Sequence, residues 1–239
     1  MIKAVIFDFG QTLANSAEGF KSAEKQAQQS IFSDLQNREQ VMSMDEFMDA
    51  YRPIRKRFHD RSNFSRLQIW QDVYRHYDCD PASGRLEKWE RRYWETVETQ
   101  TSLFPEAMHT LTQLAENYIL ALITNSQGQT STQERRLRRF PGLARLFESV
   151  VVAGESGIPA KPAGRPFFLC LDQIGLKPDA AVYVGDDWRI DVCGARDAGL
   201  SAVWLKHHAV KRNWPNERAD IPVITALDQL PKLLTAGFA

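Results

Sequence analysis

The chain has 239 residues, 43% of them hydrophobic, which is enough to bury one large domain or a core with an inserted subdomain. Its 30 basic residues balance 30 acidic ones, so the overall charge gives no reason to expect nucleic acid or an anionic membrane as a partner. The 3 cysteines share no metal-ligand spacing, no secretory signal pattern opens the chain, and no apolar run reaches the roughly 18 residues of a membrane span. We therefore expect a cytoplasmic protein.

Six short apolar runs along the chain each predict a buried strand. They are residues 3–9, 118–124, 149–153, 180–185, 201–205 and 222–225. Between them lie segments such as EAMHTLTQLAENY and GRPFFLCLDQIGL, whose apolar residues have helical spacing. Because near-continuous apolar strands that alternate with helices are typical of buried parallel sheets, the sequence predicts a doubly wound α/β fold.

One long segment interrupts this alternation. Residues 16–101 are rich in charge, glutamine and aromatic side chains, and FMDAYRPIRKRFHD and LEKWERRYWETVETQ have helical periodicity without a convincing strand between them. We predict a helical subdomain at 16–101, inserted into a core formed by 1–15 and 102–239. Because it leaves the sheet just after the first strand, we expect it over the carboxyl ends of the strands, where open α/β sheets bind ligands.

Polar side chains follow or lie near several of the predicted strands. They are Asp8, Thr124, Asn125, Lys161, Asp186, Asp187 and Asp191. Because the carboxyl ends of parallel strands meet at one edge of a sheet, we expect these side chains to face a common point. Carboxylates, an ammonium and backbone amides together suit a phosphate and a hard cation such as Mg²⁺, and three neighbouring acids without a cation would repel one another.

Each of these residues has an ordinary interpretation when taken alone. A strand-terminal aspartate is usually a turn former or a helix cap, and Asp187 or Asp191 could simply cap the helix that follows. Lys161 and Thr124 alone would be solvated or capping residues. The combination of all of them indicates a site. The histidines lack the spacing of a zinc site, and we assign them no catalytic role.

Four segments resemble, in the same order, the four motifs of the haloacid dehalogenase-like (HAD) hydrolase superfamily, most of whose members are magnesium-dependent phosphatases. They are VIFDFGQTL, ALITNS, GIPAKPAGRPFF and VYVGDDWRIDVCGARDAGL. The match covers residues 1–15 and 102–239, and the insertion is similar to the helical cap that follows the first motif in one subgroup. The resemblance implies a Rossmann-like core with a helical cap and a phosphatase that acts on a small phosphorylated metabolite, as a monomer or a homodimer.

The resemblance also implies a role for each acidic residue and for Lys161. Asp8 would be the nucleophile that takes the phosphoryl group as an aspartyl phosphate. Lys161 would neutralise charge on the nucleophile and the phosphate. Asp8, the carbonyl of Gly10, Asp186 and Asp187 would surround Mg²⁺.

The remaining roles concern the substrate and the surroundings of the metal. By the same resemblance, Thr124 and the amide of Asn125 would bind the transferring phosphoryl oxygens, and we add Gln11 as a further substrate-binding residue. Asp191 would orient Lys161 or a metal-bound water.

The sequence departs from the phosphatase pattern at Gly10. In that pattern the acid two residues after the nucleophile protonates the leaving oxygen and then deprotonates the attacking water, which is typically worth about 10²–10⁴-fold in rate. Three hypotheses stay open. The protein could hydrolyse phosphates whose leaving group needs little protonation, such as acyl or sugar 1-phosphates; it could cleave carbon–halogen or carbon–phosphorus bonds; or it could bind phosphate in a regulatory role without effective turnover.

The predicted subdomain holds a local excess of basic residues that could select an anionic substrate. They are Arg52, Arg55, Lys56, Arg57, Arg61 and Arg66. For each residue alone, a solvated helix face is the simpler interpretation. The aromatic residues of this segment are more typical of a small core than of a substrate platform; they are Phe58, Phe64, Trp70, Trp89 and Trp94.

Overall fold

The computed structural model describes residues 1–59, 64–129, 136–211, 214 and 220–237. The chain divides into two compact units. The first unit comprises Met1–Ser16, Ser102–Ser126 and Thr130–Ala239, and the second comprises Ala17–Thr101 and Gln127–Gln129. The prediction that a helical segment caps the core stays a prediction.

The secondary structure alternates in the first unit and is helical in the second. The strands are β1 (Ala4–Phe7), β2 (Ala14–Asn15), β3 (Ser102–Leu103), β4 (Ile119–Asn125), β5 (Ser149–Ala153), β6 (Ala181–Gly185), β7 (Ser201–Leu205) and β8 (Val223–Ile224). The α-helices are α1 (Ala17–Gln36), α2 (Met44–His59), α3 (Arg66–His76), α4 (Arg85–Thr99), α5 (Ala107–Ala115), α6 (Pro141–Ala144), α7 (Arg165–Gln173), α8 (Gly194–Asp197) and α9 (Leu230–Ala236). Across the described residues, no helix is long and apolar enough to cross a membrane.

Six strands form a parallel sheet in the order β5-β4-β1-β6-β7-β8. Each strand overlaps one of the six predicted apolar runs, so the predicted doubly wound α/β fold is confirmed. Strand β1 (AVIF) is fully buried, as expected of a central parallel strand with both faces covered. Val5 and Phe7 belong to an apolar cluster that includes residues of α5 and α9, whereas Ala4 and Ile6 belong to one that includes residues of α7 and α8.

Strand β1 also lies where the order of the sheet reverses. The chain runs from β1 to β4 on one side and later reaches β6 on the other. Phe7 lies level with Leu122 of β4 and with Val184 of β6, and the next residue, Asp8, donates its backbone N–H to the carbonyl of Val184 at 2.9 Å. In open α/β sheets such a reversal opens a crevice at the carboxyl ends of the strands, and Asp8 stands at it.

A short antiparallel pair, β2 with β3, was not predicted. Ala14 pairs with Leu103 and Asn15 with Ser102. Each strand has two residues, too few to produce an alternating pattern in the sequence. The pair joins the two places at which the chain leaves and re-enters the first unit.

The second unit has an apolar core of its own, built from α1 to α4. Packing between α1 and α4 is close, since a Cβ at Gly19 would lie 2.9 Å from the carbonyl oxygen of Val97. The prediction that the aromatic residues form a core is confirmed, because they all belong to this cluster or pack against it: Phe58, Phe64, Trp70, Trp89 and Trp94.

The basic residues of this unit mostly face acids of the same unit. Nε of Arg55 lies 2.8 Å from Oε1 of Glu24, and Arg52 and Arg57 have longer ion pairs with Asp49 and Asp72, at 3.7 Å and 3.5 Å.

Arg66 has a different environment: it is 7% exposed, and its guanidinium carbon lies 4.6 Å from the centroid of the Trp94 ring and 5.0 Å from that of Tyr93. Lys56 is exposed, and Arg61 lies outside the described residues. Substrate selection by these residues stays a prediction.

Candidate active site

The structure brings Asp8 and Lys161 together beside the centre of the sheet. Asp8 directly follows β1 and is 8% exposed, whereas Lys161 lies in the loop before α7 and is 1% exposed. Nζ of Lys161 lies 2.7 Å from Oδ1 of Asp8 and 2.7 Å from Oδ1 of Asp191. A buried ammonium is costly unless it is paired and hydrogen-bonded, and here two carboxylates meet that need.

Two further oxygens complete the surroundings of the ammonium. Nζ lies 3.0 Å from the carbonyl oxygen of Ile123, in β4, and 2.6 Å from the hydroxyl of Tyr183, in β6. Lys161 thus contacts residues that follow or belong to β1, β4 and β6. It holds the carboxyl ends of three neighbouring strands at one point.

Asn125 fixes the backbone of the lysine loop. Its side-chain carbonyl accepts the backbone N–H of Lys161 at 2.9 Å, and its side-chain amide donates to the carbonyl of Lys161 at 3.2 Å. Both ends of the side chain are therefore used to position Lys161.

The electrostatics of the cluster follow from burial and charge pairing. Burial by itself lowers the pKa of Lys161, but the carboxylates of Asp191 and Asp8 outweigh it and raise the pKa above its usual value. Burial raises the pKa of Asp191 to about 6; the ammonium of Lys161 opposes this rise and the charge of Asp8 adds to it. The two carboxylates therefore favour the protonated form of Lys161.

The acids of this cluster fit a divalent cation. Asp8, Asp186 and Asp191 each offer one carboxylate oxygen, and these oxygens lie within 4.8 Å of one another. Three carboxylates against the one ammonium of Lys161 leave two negative charges, which a divalent ion would balance, and oxygen ligands suit Mg²⁺. Asp191 already accepts hydrogen bonds on both oxygens, from Lys161 and from the N–H of Asp187, so Asp8 and Asp186 are the better ligands.

The structure places Asp187 in a different role from the other acids. Its Oδ1 accepts the backbone N–H of Ile190 at 2.8 Å, as the cap of the short π-helical segment Trp188–Cys193. Asp187 is not one of the three clustered acids found among the described residues. The metal role that the sequence indicated for Asp187 stays a prediction, whereas its alternative role as a helix cap is observed.

Of the other predicted residues, Gly10 and Gln11 lie in the loop after β1, and Thr124 lies in β4. Gly10 does not have a positive φ, and a Cβ there would meet Oγ of Ser16 at 3.9 Å, so the backbone does not require glycine at this position. Nε2 of Gln11 donates to Oγ of Ser16 at 3.2 Å, and Oε1 of Gln11 is buried without a hydrogen-bond partner in the described part of the chain. Thr124 is 3% exposed in β4, where it lies level with Val152 of β5.

Two residues of this region were missed in the sequence. Arg136 donates to the carbonyls of Asn125 and Ser126, at 3.3 Å and 2.8 Å, and so supports the end of β4. Tyr183 contacts Lys161. The available signal was a phenol within the apolar run AVYVG, because a buried tyrosine hydroxyl usually needs a partner.

A family model described as haloacid dehalogenase-like hydrolase matches residues 2–199. The chain belongs to the HAD-like hydrolases. The glyceraldehyde 3-phosphate phosphatase of Methanopyrus kandleri is 28% identical to it over 228 residues, which span 93% of this chain and 91% of the relative. The solved structure of a 2-haloacid dehalogenase from Pseudomonas syringae pv. Tomato is 27% identical, with 99% of both chains covered and a TM-score of 0.68.

A second solved structure supports the fold of this HAD-like hydrolase. The HAD phosphatase of Thermococcus onnurineus is 22% identical, with 100% of both chains covered and a TM-score of 0.70. At this identity the similarity shows the fold alone. The predicted family membership is confirmed.

Gly185 should be essential for the position of Asp191. A Cβ at Gly185 would lie 2.5 Å from Cβ and from Cγ of Asp191, closer than such atoms approach. Gly185→Ala must therefore displace the carboxylate that holds Lys161, and we expect a loss of stability of about 1–3 kcal/mol. The measurement is urea denaturation of the purified variant. Gly142→Ala is the matched control, since its Cβ would meet only Cε of Met108, at 3.5 Å, and equal stability of the two variants would contradict the prediction.

Proposed function

We propose that this HAD-like hydrolase is a Mg²⁺-dependent phosphatase that hydrolyses a small phosphorylated metabolite through an aspartyl phosphate on Asp8. The observation that carries the proposal is the buried cluster at the strand ends, where Asp8 is held by Lys161 and two further acids lie close by. Such a cluster suits an anionic substrate together with a cation. A relative that covers nearly the same length is named a phosphatase, which supports the same class of substrate.

The contacts of Asp8 indicate which of its oxygens attacks. Lys161 donates to Oδ1, so Oδ2 is the oxygen left to approach phosphorus. In the first step Oδ2 forms a bond to phosphorus as the bond from phosphorus to the leaving oxygen breaks. In the second step the oxygen of a water molecule attacks the same phosphorus, the bond to Oδ2 breaks, and inorganic phosphate and the Asp8 carboxylate are released.

The surrounding residues would stabilise charge and hold the substrate. Lys161 offsets the negative charge of Asp8 in a site with little solvent, where electrostatic interactions are strong. Thr124 would donate its hydroxyl to a phosphoryl oxygen, with the backbone of Asn125 beside it. Mg²⁺ held by Asp8, Asp186 and the carbonyl of Gly10 would act as a Lewis acid toward the phosphoryl oxygens.

Gly10 determines which substrates this site would favour. A side chain at this position has room, so the backbone would tolerate an aspartate there. With glycine instead, the site has no carboxyl group at residue 10. The leaving oxygen then has no carboxylic acid at residue 10 to protonate it. We therefore propose substrates whose leaving group is already stable as an anion or needs little protonation, such as acyl phosphates and sugar 1-phosphates.

Carbon–halogen cleavage is the second candidate, because one similar structure is that of a 2-haloacid dehalogenase. Attack by Asp8 on carbon would also work without an acid at residue 10, since a halide needs no proton. The clustered acids favour the phosphatase, because displacement of halide from a haloacid does not call for a divalent cation. Chloride release from 2-chloropropionate is the direct test of this alternative.

Asp8→Asn should abolish turnover. The amide cannot attack phosphorus, so we expect phosphate release from acetyl phosphate in Mg²⁺ to fall by at least about 10³-fold, as when other catalytic nucleophiles are removed. Chelation of the metal should have a comparable effect on the wild type. Asp172→Asn, an exposed aspartate in α7, is the control and should behave as wild type. Full activity of Asp8→Asn would overturn the assignment of the nucleophile.

Gly10→Asp should change the dependence of turnover on the leaving group. The new carboxyl group can donate a proton, so we expect turnover of alkyl phosphates to rise by about 10²-fold or more, with little change for acyl phosphates. The measurement is log kcat against leaving-group pKa for the wild type and the variant. Gly10→Asn has nearly the same shape without the acid and should keep the wild-type slope. Identical slopes for Gly10→Asp and the wild type would mean that another group supplies the proton.

A further inference from the structure

Tyr183 reaches the centre of the site from within the sheet. Its side chain is fully buried, and its ring packs edge-on against Phe167 with the centroids 5.1 Å apart. The hydroxyl at the end of the ring lies 2.6 Å from Nζ of Lys161, the shortest contact of that ammonium. The rest of the strand, AVYVG, is apolar, so the phenol is the one side-chain polar group that β6 brings to Lys161.

The number of protons assigns a direction to each hydrogen bond. An ammonium has three N–H groups, but Lys161 has four oxygens around it, on Asp8, Asp191, Tyr183 and Ile123. The contact with Tyr183 is too short to lack a proton, so Lys161 donates to Asp8, Asp191 and Tyr183. Tyr183 then has two acceptors for its own proton, the carbonyl of Ile123 at 3.1 Å and Oδ1 of Asp191 at 3.3 Å, and the contact with Ile123 is the shorter.

Tyr183 keeps its proton under ordinary conditions. Burial raises the pKa of its hydroxyl well above the usual value, and the negative charges of Asp191 and Asp8 raise it further. The hydroxyl is therefore a donor toward the oxygens of Ile123 and Asp191 and an acceptor for Lys161. Moving the ammonium away from the two carboxylates would also break its bond with the hydroxyl.

We propose that Tyr183 is a positioning residue for Lys161: its hydroxyl, anchored on the carbonyl of Ile123, takes one N–H of the ammonium and directs the other two to Asp8 and Asp191. The proposal rests on the proposed function, in which Lys161 holds Oδ1 of Asp8 while Oδ2 attacks. It gives Tyr183 no contact with the substrate, since the side chain is fully buried.

Tyr183→Phe separates positioning from simple support of the fold. Without the hydroxyl, the third N–H of Lys161 can turn to the carbonyl of Ile123, which is already 3.0 Å away, so the ammonium stays paired and the fold is retained. Its direction toward Asp8 is no longer fixed. We expect kcat for acetyl phosphate to fall about 10-fold or more, the size expected for a lost hydrogen bond to a charged group, with KM unchanged.

Tyr51→Phe is the matched control. Tyr51 is 1% exposed, and its hydroxyl donates to Oε1 of Glu24 at 2.9 Å within the helical unit. Like Tyr183→Phe, the substitution removes a tyrosine hydroxyl that is hydrogen-bonded to a charged side chain. Both variants should lose some stability in urea denaturation, but Tyr51→Phe should keep the wild-type kcat. An unchanged kcat in Tyr183→Phe, or an equal loss in both variants, would overturn the proposal.

A second readout does not depend on turnover. Of the described lysines, Lys161 is the buried one, so its ammonium should give a slowly exchanging proton–nitrogen signal in the NMR spectrum of protein labelled at lysine Nζ. We expect this signal to shift or broaden in Tyr183→Phe and to be unchanged in Tyr51→Phe. If wild type releases no phosphate, the proposed function fails, but the signal still decides whether Tyr183 positions Lys161; an unchanged signal in Tyr183→Phe means that it does not.

Discussion

The arrangement of the site depends on one buried positive charge. The ammonium of Lys161 is almost excluded from water, and an unpaired charge in such a place would destabilise the fold by several kcal/mol. Asp8 and Asp191 offset that cost, so the three side chains must be brought together when the chain folds. The same pairing holds one oxygen of Asp8, and in the proposed mechanism the other oxygen attacks the substrate. Under that proposal, stability and chemistry rest on the same contacts.

The parallel sheet makes this pairing possible. Strand β1 lies between β4 and β6, and all three end at the edge where Lys161 lies. Full burial of β1 fixes its register through apolar packing on both faces, and Asp8 inherits that position because it is the next residue along the chain. Close packing positions Asp191, since the absence of a side chain at Gly185 lets Asp191 approach the end of β6.

Much of the sheet and of the candidate site could be predicted from the sequence, because each strand of the sheet is a run of apolar residues and polar residues of the site follow or lie near these runs. On that basis the sequence predicts that Asp8 and Lys161 face a common point, and the structure brings them within hydrogen-bonding distance. The pairing of Asn125 with the backbone of Lys161 could not be predicted, because it depends on loop conformation rather than on residue type. For Asp187 the sequence is compatible with both a metal ligand and a helix cap, and the structure shows the cap.

Tyr183 was missed for a different reason. In a buried strand a tyrosine counts as one more large apolar residue, and nothing in the sequence says where its hydroxyl emerges. The segment Gln127–Gln129 is a similar case. It begins two residues after Asn125, a predicted phosphate-binding residue, but belongs to the helical unit, where Arg66 donates to the carbonyl of Gln127. Both features arise from contacts between residues more than twenty positions apart in the chain, which a local pattern does not encode.

The most direct test of the central claim is to find the phosphoryl group on the enzyme. The wild-type protein would be mixed with Mg²⁺ and acetyl phosphate, quenched in acid within a single turnover, reduced with borohydride, which converts an aspartyl phosphate to homoserine, and digested for mass spectrometry. We predict homoserine at position 8 and unmodified aspartate at positions 186, 187 and 191. Release of phosphate without any homoserine at position 8, or with homoserine at another aspartate, would contradict the role given to Asp8.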